Sequence, residues 1–149
     1  MASMTTNKLR QLLLNTGINL LTDTIKVMLV QTSYTPDKDH DFVSSITGGT
    51  TKEIAGTGYT GGFGGGGRKT LASKTVAKDD TGDVAFFDAA DSAWTGLDAG
   101  TVGCAVLIKE VTSDADSPII AIVDVSPDIV TNTGDYTIQW AATGIFNIA

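Results

Sequence analysis

Two apolar runs, residues 102–108 and 119–123, dominate the stretch between residues 101 and 125. Between them lies a polar segment, EVTSDADSP, that ends in a proline. Runs of five to seven residues on either side of a turn-rich linker predict an antiparallel β-hairpin. Neither run alternates between apolar and polar residues, so we expect both faces of these strands to be covered. Their many β-branched residues favour strands over a short buried helix.

Other segments of the chain also have the alternation or the β-branched content of strands. They are residues 24–31, 52–58, 69–77 and 84–87, a strand ending near residues 94–97, residues 136–140, and an edge strand at 145–148. Turn-forming residues separate them at 79–83, 126–128 and 132–135. The linker 32–50 contains a proline, many charges and a candidate helical turn at 41–45. About seven to nine short strands at fairly regular spacing are typical of an all-β domain.

A helix is predicted near the start of the chain, over about residues 6–16. Thr5 or Thr6 can cap it, and Gly17 is a suitable residue to end it. Three leucines at i, i+3 and i+4 share one face: Leu9, Leu12 and Leu13. This face either covers one end of a sheet or forms an arm that docks on a neighbouring subunit.

The pattern as a whole predicts one domain over residues 1–149. We expect an antiparallel β-sandwich or a partly closed barrel, preceded by one N-terminal helix. Helices do not alternate with the strands, which argues against a βαβ arrangement.

The charge of the chain limits its partners. It has 17 acidic and 10 basic residues, a net charge of −7 and a pI of about 4.4. An acidic surface repels phosphate backbones and anionic lipids, so we expect neither a nucleic-acid partner nor a membrane. No apolar segment approaches the roughly 20 residues of a spanning helix. The first residues lack a long apolar core, so no export signal is expected.

The most unusual tract is GGFGGGGRK, residues 61–69. Gly62, Gly64 and Gly67 fit G-x-G-x-x-G, but that pattern binds phosphates only between a strand and a helix N-terminus, and the following residues favour a strand. We therefore expect a surface loop that is mobile alone or ordered by a partner. Phe63 within it, flanked by Tyr59 and Arg68, is a candidate apolar anchor at an interface.

The residues that usually carry chemistry have no complete pattern in this chain. Asp37, Asp39 and Asp41 begin like a calcium loop, but the glycine and glutamate that an EF-hand needs are missing. His40 is the one histidine, and Cys104 is the one cysteine and lies in an apolar run. We expect Cys104 to be a small buried hydrophobe, and we expect no metal, no cofactor and no enzymatic activity.

Two alternatives stay open at this point. Paired carboxylates could serve as a hydrolytic site, because their pairing is spatial. The aromatic residues Trp94, Trp140 and Tyr136 could stack on sugars, which would make the chain a carbohydrate-binding β-sandwich. Tryptophans in alternating strands are more often packed in the core.

The order of several motifs resembles a family of small virion accessory proteins of tailed bacteriophages. The segments that carry the resemblance are LLTDTIKVMLVQTSYTPDKDHDFVSSI, KEIAGTGYT, KTVAKDDTGDVAFFDAADSAWTGL, GTVGCAVLIKE, DSPIIAIVD and TIQWAATGIFNIA. The tract GGFGGGGRK departs from the family pattern, where a shorter connection is expected, so no role of this loop is carried over.

The resemblance implies a structural protein of the virion, assembled in the host cytoplasm, with no catalytic residues. A capsid cement or head-decoration protein is the first expectation, and a tail or fibre-associated subunit is the alternative. Its partners would be the major capsid protein or another virion protein, together with further copies of the chain, as a homo-oligomer and first as a trimer. The candidate interface residues are Tyr59, Phe63, Arg68, Leu9, Leu12 and Leu13.

Overall fold

The computed structural model describes residues 3–149 and places three long strands at the centre of the fold. Its elements, in chain order, are β1 (Met4–Thr5), α1 (Asn7–Leu14), β2 (Ile25–Gln31), α2 (Ser44–Thr47), β3 (Lys69–Thr70), β4 (Thr75–Asp79), β5 (Val84–Asp88), β6 (Ser92–Leu97), β7 (Thr101–Lys109), β8 (Ile119–Val130), β9 (Gly134–Ile138) and β10 (Phe146–Ile148).

The predicted central hairpin is confirmed. β7 and β8 pair antiparallel, with Val106 opposite Ile122, and β2 pairs antiparallel with the other side of β7. They form the middle of a five-stranded sheet in the order β1-β8-β7-β2-β3. Because β7 is a central strand, its backbone groups are paired on both sides, which suits its long apolar run.

Both faces of this sheet are buried, as the continuous apolar runs predict. Along β2, Ile25, Val27 and Leu29 belong to one core cluster, whereas Met28 and Val30 belong to a second cluster on the opposite face. All five side chains are fully buried. Alternate side chains of β2 point to opposite faces of the sheet, so this one strand contributes to two cores.

Different elements cover the two faces. The first core contains side chains from two smaller antiparallel sheets, β10-β5-β4 and β6-β9, such as Phe87, Trp94 and Ile138. The second core is closed by the linker after β2, through Tyr34, and by α2, through Ile46. The architecture is thus an all-β, sandwich-like fold, and the sheets of residues 3–149 do not close into a barrel.

The N-terminal helix forms inside its predicted range, and Thr6 is its cap. The Thr6 hydroxyl oxygen accepts a hydrogen bond from the Leu9 N–H at 3.1 Å and donates one to the Ile119 carbonyl at 2.6 Å. Leu9 is fully buried in the first core and Leu12 packs against it. The first two leucines of the predicted face therefore cover the sheet of their own chain.

Four local predictions differ from the structure. Residues 52–58 form isolated bridges and not a strand, because Glu53 pairs with Val30 for one position only. The predicted strand 69–77 is split into β3 and β4 at Ser73, whose φ is +50°. The predicted turn 126–128 lies within β8, where the ladder to β7 is interrupted between Asp124 and Ile129. The helical turn expected at 41–45 begins three residues later, as α2.

The end of α1 differs from its prediction. Gly17 donates its N–H to the Leu12 carbonyl at 2.8 Å, which closes a Schellman-type end, but the left-handed residue is Thr16, with φ of +57°. A β-branched residue is strained in this region. Thr16 is exposed, so packing does not compensate for that strain.

Thr16→Gly is therefore expected to raise the free energy of unfolding by about 1 kcal/mol, since the left-handed cost disappears and only part of the gain is offset by glycine entropy. Urea unfolding measures the change. Thr16→Ala is the control, because it keeps a Cβ in the left-handed region. An equal gain from alanine would contradict the strain argument.

Candidate functional site

A buried ion cluster lies beneath the glycine-rich tract. Arg68, which directly precedes β3, donates from Nε to Glu53 Oε1 at 2.9 Å and from Nη2 to Glu53 Oε2 at 2.7 Å. The side chains of Arg68 and Glu53 are 1% and 2% exposed. This is the two-pronged arrangement in which a guanidinium and a carboxylate bind most strongly.

The other side of the same guanidinium binds the loop between β7 and β8. Arg68 Nη1 donates to Asp114 Oδ1 at 2.7 Å, and Nη2 donates to Asp114 Oδ2 at 3.1 Å. The Thr47 hydroxyl, at the end of α2, donates to Asp114 Oδ2 at 2.8 Å. Burial acts to raise the pKa of Asp114, but the hydrogen bonds from Arg68 and Thr47 outweigh it and lower that pKa.

Tyr59 completes the cluster on the side of the first core. Its hydroxyl donates to Glu53 Oε1 at 3.0 Å and accepts from the Leu29 N–H of β2 at 3.0 Å. Burial first, and the Glu53 carboxylate second, raise the pKa of Tyr59 above its ordinary value. The phenol is therefore a neutral bridge between the ion cluster and the central sheet.

The cluster also orders the glycine-rich tract. The Gly62 N–H donates to Glu53 Oε2 at 2.9 Å, and the Gly67 carbonyl accepts from Trp94 Nε1 at 2.6 Å. A Cβ on Gly67 would lie 2.4 Å from the Tyr59 ring, so this position requires glycine. The expectation that the tract is mobile or ordered by a partner is wrong, because side chains of the same chain hold it.

The bonding of the cluster defines what it can do chemically. Each carboxylate oxygen of Glu53 and Asp114 accepts at least one hydrogen bond, and Arg68 supplies one to each of them. The lowered pKa of Asp114 keeps that carboxylate ionised near neutral pH. The hydrogen bonds of the cluster connect the tract, the segment after α2 and the β7–β8 loop. The cluster therefore stabilises the fold.

The six candidate interface residues divide into two groups. Tyr59, Arg68 and Leu9 are at most 4% exposed and belong to the interior, so they are not available as surface contacts of this chain. Phe63 is 44% exposed and Leu13 is 38% exposed. For these two residues, and for the half-buried Leu12, an interface role stays a prediction.

The residues considered for metal binding make other contacts. The Tyr34 hydroxyl lies 2.8 Å from His40 Nδ1, and Asp37 Oδ1 accepts from the Asp39 N–H at 3.0 Å. No group of three or more His, Cys, Asp or Glu side chains in residues 3–149 is placed to hold a metal ion. The aspartates of this segment shape a solvated turn.

The three aromatic residues of the carbohydrate alternative have different environments. Trp94 is 1% exposed and its ring centroid lies 5.9 Å from that of Tyr136. Trp140 is half-buried, and it shares with Tyr136 a groove of about 410 Å³ beside β8 and β9. Trp94 is therefore a core residue, as the core interpretation of the tryptophans predicts.

The chain has no detected relative in any of three comparisons: no family model matches it, and no curated protein and no solved structure does either. Among residues 3–149, no helix is long and apolar enough to cross a membrane.

Sequence reasoning missed Glu53 and Asp114 as members of a site. Their partner Arg68 is 15 residues from one and 46 from the other, so no local motif joins them. The available signal was Glu53 itself, an acid followed by an apolar pair ahead of the glycines.

Arg68→Ala is expected to lower the free energy of unfolding by about 3–5 kcal/mol, because it leaves two carboxylates without their partner in the interior. Chemical denaturation measures the loss. Lys78→Ala is the matched control: the Lys78–Asp80 pair is 76% and 77% exposed, so its removal should change stability little. Equal losses in both variants would contradict the assignment.

The lowered pKa of Asp114 makes stability depend on pH. The carboxylate contributes its full stabilisation above its unfolded pKa of about 3.8, and this contribution is lost as the pH falls through the lower folded value. Asp114→Asn should therefore lose less stability than the unmodified chain between pH 5 and pH 2, measured by urea unfolding across about that range. An unchanged slope in Asp114→Asn would contradict the argument.

Proposed function

We propose that this chain is a structural virion protein of a tailed bacteriophage, which acts as a capsid cement or head-decoration protein. The order of the motifs along the sequence supports the phage accessory family. The positions of the satisfied and unsatisfied polar groups support a structural role. The buried polar cluster is saturated within the chain, whereas strand edges and apolar side chains are exposed outside it. Such a molecule acts through its surface.

One observation carries this proposal furthest. All five residues of β4 are exposed, and β4 is an edge strand of its sheet. An exposed strand edge presents unpaired backbone groups that another chain can bind. Exposed apolar side chains accompany it at several places: Leu13, Leu14, Leu21, Phe63, Val76 and Val111.

The proposed partners are the major capsid protein and further copies of this chain, in a homo-oligomer that we propose to be a trimer. The net charge of −7 supports protein partners over nucleic acid or membrane. A tail or fibre-associated subunit is the alternative location in the virion. The carbohydrate-binding alternative now rests on Tyr136 and Trp140, which line a shared groove.

Sedimentation with phage particles tests the proposal. Purified chain is mixed with phage heads that lack it, or with tails, and the particles are pelleted. We expect the chain to pellet with heads until its sites are full. Pelleting with tails alone would favour the tail alternative, and pelleting with neither would contradict a virion role and favour the carbohydrate module.

Phe63 supplies the matched variant for this experiment. Phe63→Ala should weaken binding to heads about tenfold or more, if the exposed ring is an anchor at the interface. Val130→Ala is the control, because Val130 is exposed and apolar but lies at the far end of β8 and outside the predicted interface. Equal affinity of both variants would remove Phe63 from the interface.

A further inference from the structure

A groove of about 540 Å³ separates the two ends of the described chain. Ser3 and β1 line one side, and residues 146–149, which include β10, line the other. β10 is an edge strand, paired with β5 on its inner side, and within residues 3–149 no strand pairs with its outer side. The groove is therefore bordered by a strand edge that can accept a further strand.

The two charged side chains at this groove are both cationic, although the protein is acidic. Arg10 and Lys38 line it, and no Asp or Glu side chain does. Neither cation forms an ion pair in the part of the chain that the structure describes. Unpaired cations around a free strand edge favour an extended segment that carries acidic side chains.

The chain itself presents such a segment. β4 and β5 form a hairpin, here called the arm, whose outer strand β4 is exposed throughout. Its tip contains Asp79, Asp80 and Asp83, with Lys78 as the accompanying cation. Val76 in the arm is 50% exposed. The arm thus combines a free strand edge with a tip of net negative charge, at the side of the β10-β5-β4 sheet opposite the groove.

We propose that the outer edge of β4 in one copy pairs with the outer edge of β10 in the next, and that the acidic tip lies near Arg10 and Lys38. Different surfaces meet in this contact, so repetition produces a ring when the rotation closes. β4 and β10 each run antiparallel to β5, so they run in the same direction. In a ring with its axis along the strands, the new joint is parallel. This inference rests on the homo-oligomer in the proposed function.

Disulfide crosslinking in solution tests the joint. Asn147 and Ala77 both lie opposite Phe86, so within one copy they are two strand spacings apart, about 9.6 Å. Cysteines more than about 7 Å apart at Cα do not bridge, so a bond between these positions joins two copies. Cys104 does not interfere, because it is buried and burial raises the pKa of its thiol to about 11.

Asn147→Cys is combined in turn with cysteine at Val76, Ala77 or Lys78, which covers the neighbouring registers. Under mild oxidation we expect one combination to give a closed covalent trimer on a non-reducing gel. Asn147→Cys with Thr51→Cys is the control, since Thr51 is exposed on another part of the molecule. That control should stay monomeric.

Three results would overturn the joint. The first is the absence of crosslinks in all three combinations. The second is a dimer formed by any of the four single cysteine variants, which would indicate pairing of like edges. The third is an unlimited ladder, which would indicate an open filament. The result also separates the two proposals. A crosslinked trimer that does not pellet with heads contradicts only the cement role, and head binding without crosslinks contradicts only this interface.

Charge reversal gives a second measurement. Arg10→Glu with Lys38→Glu should shift the equilibrium from trimer to monomer in sedimentation velocity, and addition of Asp79→Lys and Asp80→Lys should restore the trimer. Lys52→Glu, a cation outside the groove, is the control and should leave the trimer intact. A trimer unaffected by the reversal in the groove would contradict the placement of the tip.

Discussion

The two-sided burial of β2, β7 and β8 is the constraint on which the rest of the fold depends. Because side chains on both faces of these strands are removed from water, the chain must supply a cover for each face. The smaller sheets and the short α2 are those covers. The loss of a large side chain from either core, such as Leu107 or Ile108, removes contacts from a strand with no solvent face; such truncations cost about 2–5 kcal/mol.

Charge is used differently inside and outside this molecule. Inside, Arg68 lies between two carboxylates whose oxygens are all occupied, which gives the glycine-rich tract a fixed path. Outside, Arg10 and Lys38 are unpaired among the described residues, and the acidic tip of the arm is in solvent. The cluster satisfies its own hydrogen-bonding groups within the chain, and the strand edges leave backbone groups unpaired at the surface, where we propose that further copies bind.

The long buried strands were predictable because their signal is local. The apolar residues that predict these strands lie within residues 24–31 and 102–108 themselves. The first segment contains β2 and the second lies within β7. The strand at 69–77 failed at Ser73, because a left-handed serine leaves no trace in an apolar pattern. The Glu53–Arg68–Asp114 cluster could not be predicted from the sequence, because its members are far apart along the chain and are brought together only by the fold. Burial turned Tyr59 and Arg68 from surface candidates into interior residues.

The cluster also ties the glycine-rich tract to the central hairpin. Arg68 makes its second set of hydrogen bonds to Asp114, which lies in the loop between β7 and β8, so the complete cluster requires that hairpin. On this basis we expect the tract and the Asp114 loop to open together in the native protein. The amide proton of Gly62, which is bonded to Glu53, should then exchange with solvent only when the ion cluster opens, whereas the Gly67 N–H is protected separately by the Thr60 carbonyl.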